Sequence, residues 1–275
     1  MQTEIATDDA SARGQVSTSA AEIYDAFFVP ALFGRWAATV ADTAGVKPGD
    51  AVLDVACGTG VLTAEAARRA GAYGNVAGLD CNRGMLALAR SRSASIAWRE
   101  GVAETLPFGD GEFDAVLSQF GLMFFEDRVK ALSEMRRVLK PGGKIAVAVW
   151  ASLDETPGYT EMVALLDRLF GAEIAGGLEA PYCLGDREEL RALFARAGMP
   201  DAKVEMHEGP AEFPSIESWV TTDIKGWTLA DSIDDGQFET LKREAEVALA
   251  KFVGPDGRVR FRHPCVVVTA GKKVA

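Results

Sequence analysis

Between residues 51 and 150, short apolar runs alternate with amphipathic stretches of helical period. Ala51 to Val55, Asn75 to Leu79, Ser95 to Trp98, Phe113 to Leu117 and Lys144 to Trp150 read as strands. Thr63 to Ala70, Met85 to Ser91 and Arg128 to Leu139 read as helices, the last with Ala131, Leu132, Met135 and Leu139 on one face. Turn residues separate them, as in Lys47-Pro48-Gly49-Asp50 and Pro141-Gly142-Gly143. This alternation predicts an α/β fold with a doubly wound, mostly parallel sheet.

The flanks are less regular. Ser19 and Glu22 have capping-box spacing and predict an aromatic helix from Ile23 to Phe28, which Pro30 interrupts before a second helix from Ala31 to Thr43. Past Trp150 the rhythm breaks into a helix from Thr160 to Phe170 and a Gly-rich loop. Asp186 and Glu189 then open a helix that turns Leu190, Leu193, Phe194 and Ala197 inward; Gly198 ends it, and a strand follows from Lys203 to His207. A second insertion carries the stripe Phe238, Leu241, Ala245, Leu249, and the chain closes on a strand from Cys265 to Thr269. We expect one domain over residues 1–275, with a helical cap at 17–45 and insertions at 151–185 and 209–262 forming a substrate lid. The repeating core leaves little room for variation, so the insertions are where specificity belongs.

The chain has 275 residues and a formal net charge of −11. Nearly all of that charge falls between Ala151 and Arg262, with 22 acids against 12 bases, which reads as a solvated face. No basic footprint for a phosphate backbone stands out, so nucleic acid is not expected as substrate. The four cysteines stand far apart with no histidine at ligand spacing, which argues against a disulfide framework or a metal site. The first residues are polar and acidic rather than signal-like, and no apolar run is long enough to span a bilayer, so a cytoplasmic protein is expected. Monomer and homodimer both stay open.

The chemistry concentrates in Val52-Leu53-Asp54-Val55-Ala56-Cys57-Gly58-Thr59-Gly60, between a strand and a helix. Small residues in such a turn let the backbone approach a ligand. Asp80 ends the next strand, where an acid can accept hydrogen bonds from both ribose hydroxyls. An adenosine-containing ligand at the carboxyl ends of the strands follows.

With these motifs, with GLDCNRGML, with Glu104-Thr105-Leu106-Pro107-Phe108 and with Glu134 through Gly143, the sequence resembles the seven-stranded class I S-adenosylmethionine-dependent methyltransferases. It is most similar to the group that includes ubiquinone and menaquinone methyltransferases, over about residues 24–198. The resemblance implies a Rossmann-like sheet of seven strands, the final one antiparallel, S-adenosylmethionine as cofactor and a small-molecule acceptor. It also implies that Gly58 and Gly60 leave space for the methionine part of the cofactor, within a turn that includes Ala56 and Cys57. Asp54 would hold the amino group, directly or through water, and Asp80 the ribose. Cys81 and Met85 would pack on the adenine, Ala103 would offer its amide to the adenine edge, and Gln119 and Phe120 would line the methyl end. Tyr24 and Trp36 would fold over the site. The family usually has Asp where this chain has Val102, which cannot accept a bond from the adenine amino group.

Methyl transfer asks chiefly for alignment and exclusion of water, and the sequence identifies no catalytic base. His207 and His263 are candidates without an evident partner acid. Two rival readings are a NAD-dependent oxidoreductase, against which Thr63 stands where its fingerprint needs Gly or Ala, and a cofactor-binding protein without catalysis.

Overall fold

The computed structural model describes residues 21–225, 229 and 232–274. The proposed cap at Ser19 lies outside them. Seven strands form the central sheet: β1 (Ala51–Val55), β2 (Asn75–Asp80), β3 (Ala97–Glu100), β4 (Phe113–Gln119), β5 (Leu139–Trp150), β6 (Lys203–His207) and, numbered in chain order, β9 (Cys265–Gly271). Their order is β3-β2-β1-β4-β5-β9-β6; β9 runs antiparallel to both neighbours and the other pairs are parallel. The central strands are apolar without alternation because helices cover the sheet: Ile145 to Trp150 are all buried.

Several helices begin where a side chain caps them. Asn82 accepts from the Gly84 and Met85 amides at the start of α4 (Arg83–Arg92), and Asp127 from the Lys130 amide at α5 (Arg128–Val138). Asp186 does the same for α8 (Arg187–Arg196), and Asp234 with Gln237 completes a capping box on α10 (Asp235–Ala248). The Leu106-Pro107-Phe108 segment is held by α5. The Glu134 carboxylate accepts from the Leu106 amide at 3.0 Å, and the Arg137 guanidinium donates to the Phe108 and Leu106 carbonyls at 2.9 and 3.1 Å.

Three expectations are corrected. Pro30 does not divide two helices: after α1 (Ala21–Ile23) the chain forms a π-helix, Tyr24–Phe33, with Pro30 inside it, and the break comes at Gly34 and Arg35 before α2 (Trp36–Ala44). The wide turn keeps its aromatics stacked on the core, with Tyr24 and Phe33 5.1 Å apart. The Gly-rich stretch after α6 (Pro157–Phe170) is largely helical, α7 (Ala172–Glu179), and a Cβ on Gly177 would stand 2.8 Å from Leu229. The second insertion is also more ordered than its stripe suggests. It holds α9 (Ile216–Lys225) and a two-stranded antiparallel sheet, β7 (Pro210–Phe213) with β8 (Val259–Arg262).

The two insertions pack on each other through rings. Phe261 lies 5.5 Å from Tyr159 and 4.6 Å from Trp219, and its ring occupies the space that a Cβ on Gly158 would need. After β1, α3 (Val61–Ala70) returns the chain to the sheet beside α2.

Candidate cofactor site

The strand order reverses between β1 and β4, where a doubly wound sheet leaves a crevice beyond its strand ends. A cavity of about 400 Å³ opens there. Its walls are the turn after β1 with Ala56 and Gly58, residues 79–82 at the end of β2, 101–104 after β3, and 119–121 at the end of β4. Tyr24 and Phe33 of the π-helix close one side.

Two non-glycine residues of this wall hold left-handed backbone, Ala56 at φ 59° and Phe120 at φ 56°. Such conformations cost about 1–3 kcal/mol each and persist only where packing enforces them. Here the Phe120 ring stacks on Trp150 at 3.6 Å and its amide donates to the Ala148 carbonyl at 2.8 Å. Gly121 follows because a Cβ there would stand 2.6 Å from that of Ala56.

Asp80 organises the turn. Its Oδ2 accepts from the Gly58 amide and its Oδ1 from the Asn82 amide, each at 2.8 Å, and burial raises its pKa. Asp54 is buried beneath the cavity wall. Its Oδ2 accepts from the Thr63 hydroxyl at 2.6 Å, while Oδ1 has no partner. Burial, with a smaller contribution from the nearby Asp80 charge, pushes its pKa up to about 7. Burial and the same two carboxylates, with Asp25, hold the Tyr24 phenol protonated. Gln119 donates to the Phe33 carbonyl at 3.2 Å and leaves its own buried Oε1 unpartnered.

Of the residues singled out in the sequence, Tyr24, Ala56, Gly58, Asp80, Cys81, Met85, Val102, Ala103, Gln119 and Phe120 line the cavity. Trp36, Asp54, Cys57 and Gly60 do not. Trp36 is buried and covers Gly209, where a Cβ would stand 2.6 Å from its ring, so it does not fold over the site. Gly60, at φ 90°, makes room for Trp98 rather than for a ligand: a Cβ there would stand 2.5 Å from that indole. Gly58 differs, for at φ 54° a Cβ would meet nothing within 4 Å and the residue borders the cavity. Val102 is half-exposed, and Glu104 is tied to the opposite loop by accepting from the Glu126 amide at 2.9 Å.

The histidines separate. His207 sits on β6 away from the cavity, and its Nε2 has no partner. His263 does have one, but it is a tyrosine: Nε2 and the Tyr182 hydroxyl are 3.0 Å apart, and burial lowers the imidazole pKa to about 3. A base of that strength does not take protons at neutral pH. Sequence reasoning passed over Asp223, which is 1 % exposed and accepts from the Tyr159 hydroxyl at 3.2 Å. Its signal was an acid inside the apolar periodicity of Ile216, Trp219, Val220 and Ile224.

Residues 14–164 match the model of the ubiE/COQ5 methyltransferase family. The chain belongs to that family. Among curated relatives, the demethylmenaquinone methyltransferase of Staphylococcus carnosus is 36% identical over 188 residues, which cover 63% of this chain and 78% of that protein. Its Staphylococcus aureus counterpart is 34% identical over the same shares. Among solved structures, the YcgJ protein of Bacillus subtilis superposes with a TM-score of 0.59 at 19% identity, covering 88% of this chain and 99% of that one. Phosphoethanolamine N-methyltransferase 2 of Haemonchus contortus, in complex with S-adenosylmethionine, gives 0.60 at 20% identity over 94% of this chain and 58% of that one. The protein is therefore an S-adenosylmethionine-dependent methyltransferase of Rossmann-like fold. Family membership leaves the oxidoreductase reading without support. Among the described residues, no helix is long and apolar enough to cross a membrane.

Proposed function

We propose that the methyltransferase binds its cofactor in the 400 Å³ cavity and methylates a small, neutral, oxygen-bearing aromatic acceptor. The observation that carries the first half is the pairing of a polar rim with unused buried acceptors. Asp80 stands at the cavity wall with lone pairs left for ribose hydroxyls, Gly58 leaves open space beside it, and Asp54 Oδ1 lacks a partner. This donor and acceptor set fits a ligand with a ribose at one end and an ammonium at the other. Bound S-adenosylmethionine supplies an activated methyl group on its sulfonium.

The chain's own part is to bind, orient and exclude water. Asp80 accepts the ribose hydroxyls, and Asp54, beneath the wall, holds the amino group through a bridging water. Cys81, Met85 and Val102 flank the adenine, and the Ala103 amide meets its edge. Tyr24, Gln119 and Phe120 surround the methyl end. The aromatic acceptor follows from Phe33, Phe120, Phe124 and Phe125 on the cavity wall and from relatives named for demethylmenaquinone. The insertions at 151–185 and 209–262, most of which lie beyond the matched family region, serve as its lid.

A pH dependence tests the Asp54 role. In the free protein the raised pKa means that stability falls as pH rises from the usual carboxyl range through about 7. Binding an ammonium requires the ionised carboxylate, so below pH 7 a proton must leave. Affinity for S-adenosylhomocysteine should rise by up to about tenfold per unit between pH 5 and 7 and then level off. Calorimetry at pH 6 in buffers of different ionisation enthalpy should show proton release. Affinity independent of pH would remove Asp54 from the site.

Val102 offers a second test. Val102→Asp should create a charge-assisted acceptor for the adenine amino group and tighten S-adenosylhomocysteine by up to roughly tenfold. S-inosylhomocysteine, which has oxygen in place of that amino group, should not gain. Equal changes for both ligands would show that position 102 does not read the adenine.

A further inference from the structure

Behind Phe33 lies a second cavity of about 20 Å³, room for one water molecule. Phe33 lines both this cavity and the large one, so a single ring stands between them. The far wall carries Tyr159, Tyr182 and Asp223, all from the insertions. Phe28, Leu32 and Trp150 supply much of the rest.

The polar groups here are only half used. Asp223 Oδ1 accepts from Tyr159, while Oδ2 makes no full hydrogen bond; the Trp219 indole N–H stands close enough to the carboxyl to favour its ionised form without completing one. Tyr182 is fixed by His263, which is itself stacked on Trp150 at 4.1 Å. A buried carboxyl with a bare oxygen destabilises a fold, and an apolar residue of similar size would pack an aromatic lid better. Beside a cavity, such an oxygen is what a polar ligand would meet. Burial pushes the Asp223 pKa up to about 8, so at neutral pH the carboxyl is protonated. With Oδ1 engaged by Tyr159, the free oxygen becomes a donor.

Phe33 ends the π-helix, a rare element that recurs at functional sites. Its ring contacts Tyr24, Phe120 and Trp150 at 5.1, 5.5 and 5.7 Å, so rotating it would join the two spaces along a run of aromatic faces.

We propose that the small cavity is the inner end of the acceptor site, opened by displacement of Phe33, and that Asp223, aligned by Tyr159, donates a hydrogen bond there to an oxygen of the aromatic acceptor. Tyr182 lines the same pocket, with His263 as its positioning residue. An acceptor pinned in this way stacks along Phe33 and Trp150 and turns its nucleophilic atom toward Gln119 and Phe120. This rests on the reading of the large cavity as the cofactor site.

The test uses the full chain saturated with S-adenosylhomocysteine and two small probes, 4-fluorophenol and fluorobenzene, titrated by fluorine NMR. Wild type binds 4-fluorophenol. Tyr159→Phe/Asp223→Leu removes both partners together, so none is left unpaired. It should bind 4-fluorophenol at least about tenfold more weakly, with fluorobenzene changed by no more than about threefold. Asp223→Asn, whose amide keeps a donor, should bind 4-fluorophenol within about threefold of wild type. Phe33→Ala opens the passage and should tighten 4-fluorophenol by at least about threefold, which keeps the test alive if the double variant fails to fold. Equal 4-fluorophenol affinity in all these proteins, or none in wild type, overturns the proposal and leaves the cavity as the seat of a structural water. Failure of wild type to bind S-adenosylhomocysteine, measured first, overturns the cofactor-site reading instead.

Discussion

Gly58→Val should abolish S-adenosylhomocysteine binding, weakening it by at least about 100-fold in a protein that still folds. Two effects combine. Position 58 holds φ 54°, which a β-branched residue adopts only under strain, on the order of 1–2 kcal/mol. The new side chain meets nothing in the free protein, so folding survives, but it grows into the cavity from the turn that the ligand must approach. Calorimetric titration, with circular dichroism as a check of the fold, reads the result. Near-normal affinity would place the cofactor elsewhere. Gly60→Val, by contrast, should act on stability through Trp98.

Asp80→Ala has the next largest effect. In the sequence this residue is one ribose acceptor, but in the structure it is also the anchor of the Gly58 and Asn82 amides. Removing it takes away the ligand's acceptor and loosens the turn that shapes the site. A bond to a charged group is worth about 1.5–3 kcal/mol, so losing one should weaken S-adenosylhomocysteine by roughly 10- to 150-fold. The melting temperature should fall as well, because two amides lose their partner. A folded variant with wild-type affinity would take Asp80 out of the site.

What could be read in advance follows from locality. β1 and its glycine turn were legible because an apolar run, a small-residue turn and a following helix lie within about twenty residues, and each element states its own period. The α8 cap was legible for the same reason. The π-helix was not, since Pro30 breaks a helix by local rules and only the stacking of Tyr24, Phe28 and Phe33 on the core reverses them. α7 was missed because glycines argue for a loop unless a neighbour such as Leu229 needs the space. The pairing of β7 with β8 joins residues about fifty positions apart, and nothing in either tetrapeptide announces it.

The site divides along the same line. Gly58, Asp80 and Ala103 stand in motifs, and the structure sets all three on one cavity wall. Gly60 shows the limit of a motif: the same glycine pattern borders the cavity at one position and makes room for an indole at another. The left-handed backbone of Ala56 and Phe120 leaves no trace in residue type. Asp223 was submerged in an acidic insertion that reads as a solvated face, and only tertiary packing separates this one carboxyl from its exposed neighbours.

The central claim is that the cavity at the ends of β1 to β4 is built for S-adenosylmethionine and its product. The most direct measurement is thermal unfolding of wild type with S-adenosylhomocysteine and, separately, with NAD at the same concentration. A ligand at about 100 times its dissociation constant stabilises the folded state by roughly 2.7 kcal/mol, a rise of about 5–10 °C for a chain of this length. The expected result is such a rise with S-adenosylhomocysteine and none with NAD. A shift with NAD alone, or with neither, would contradict it.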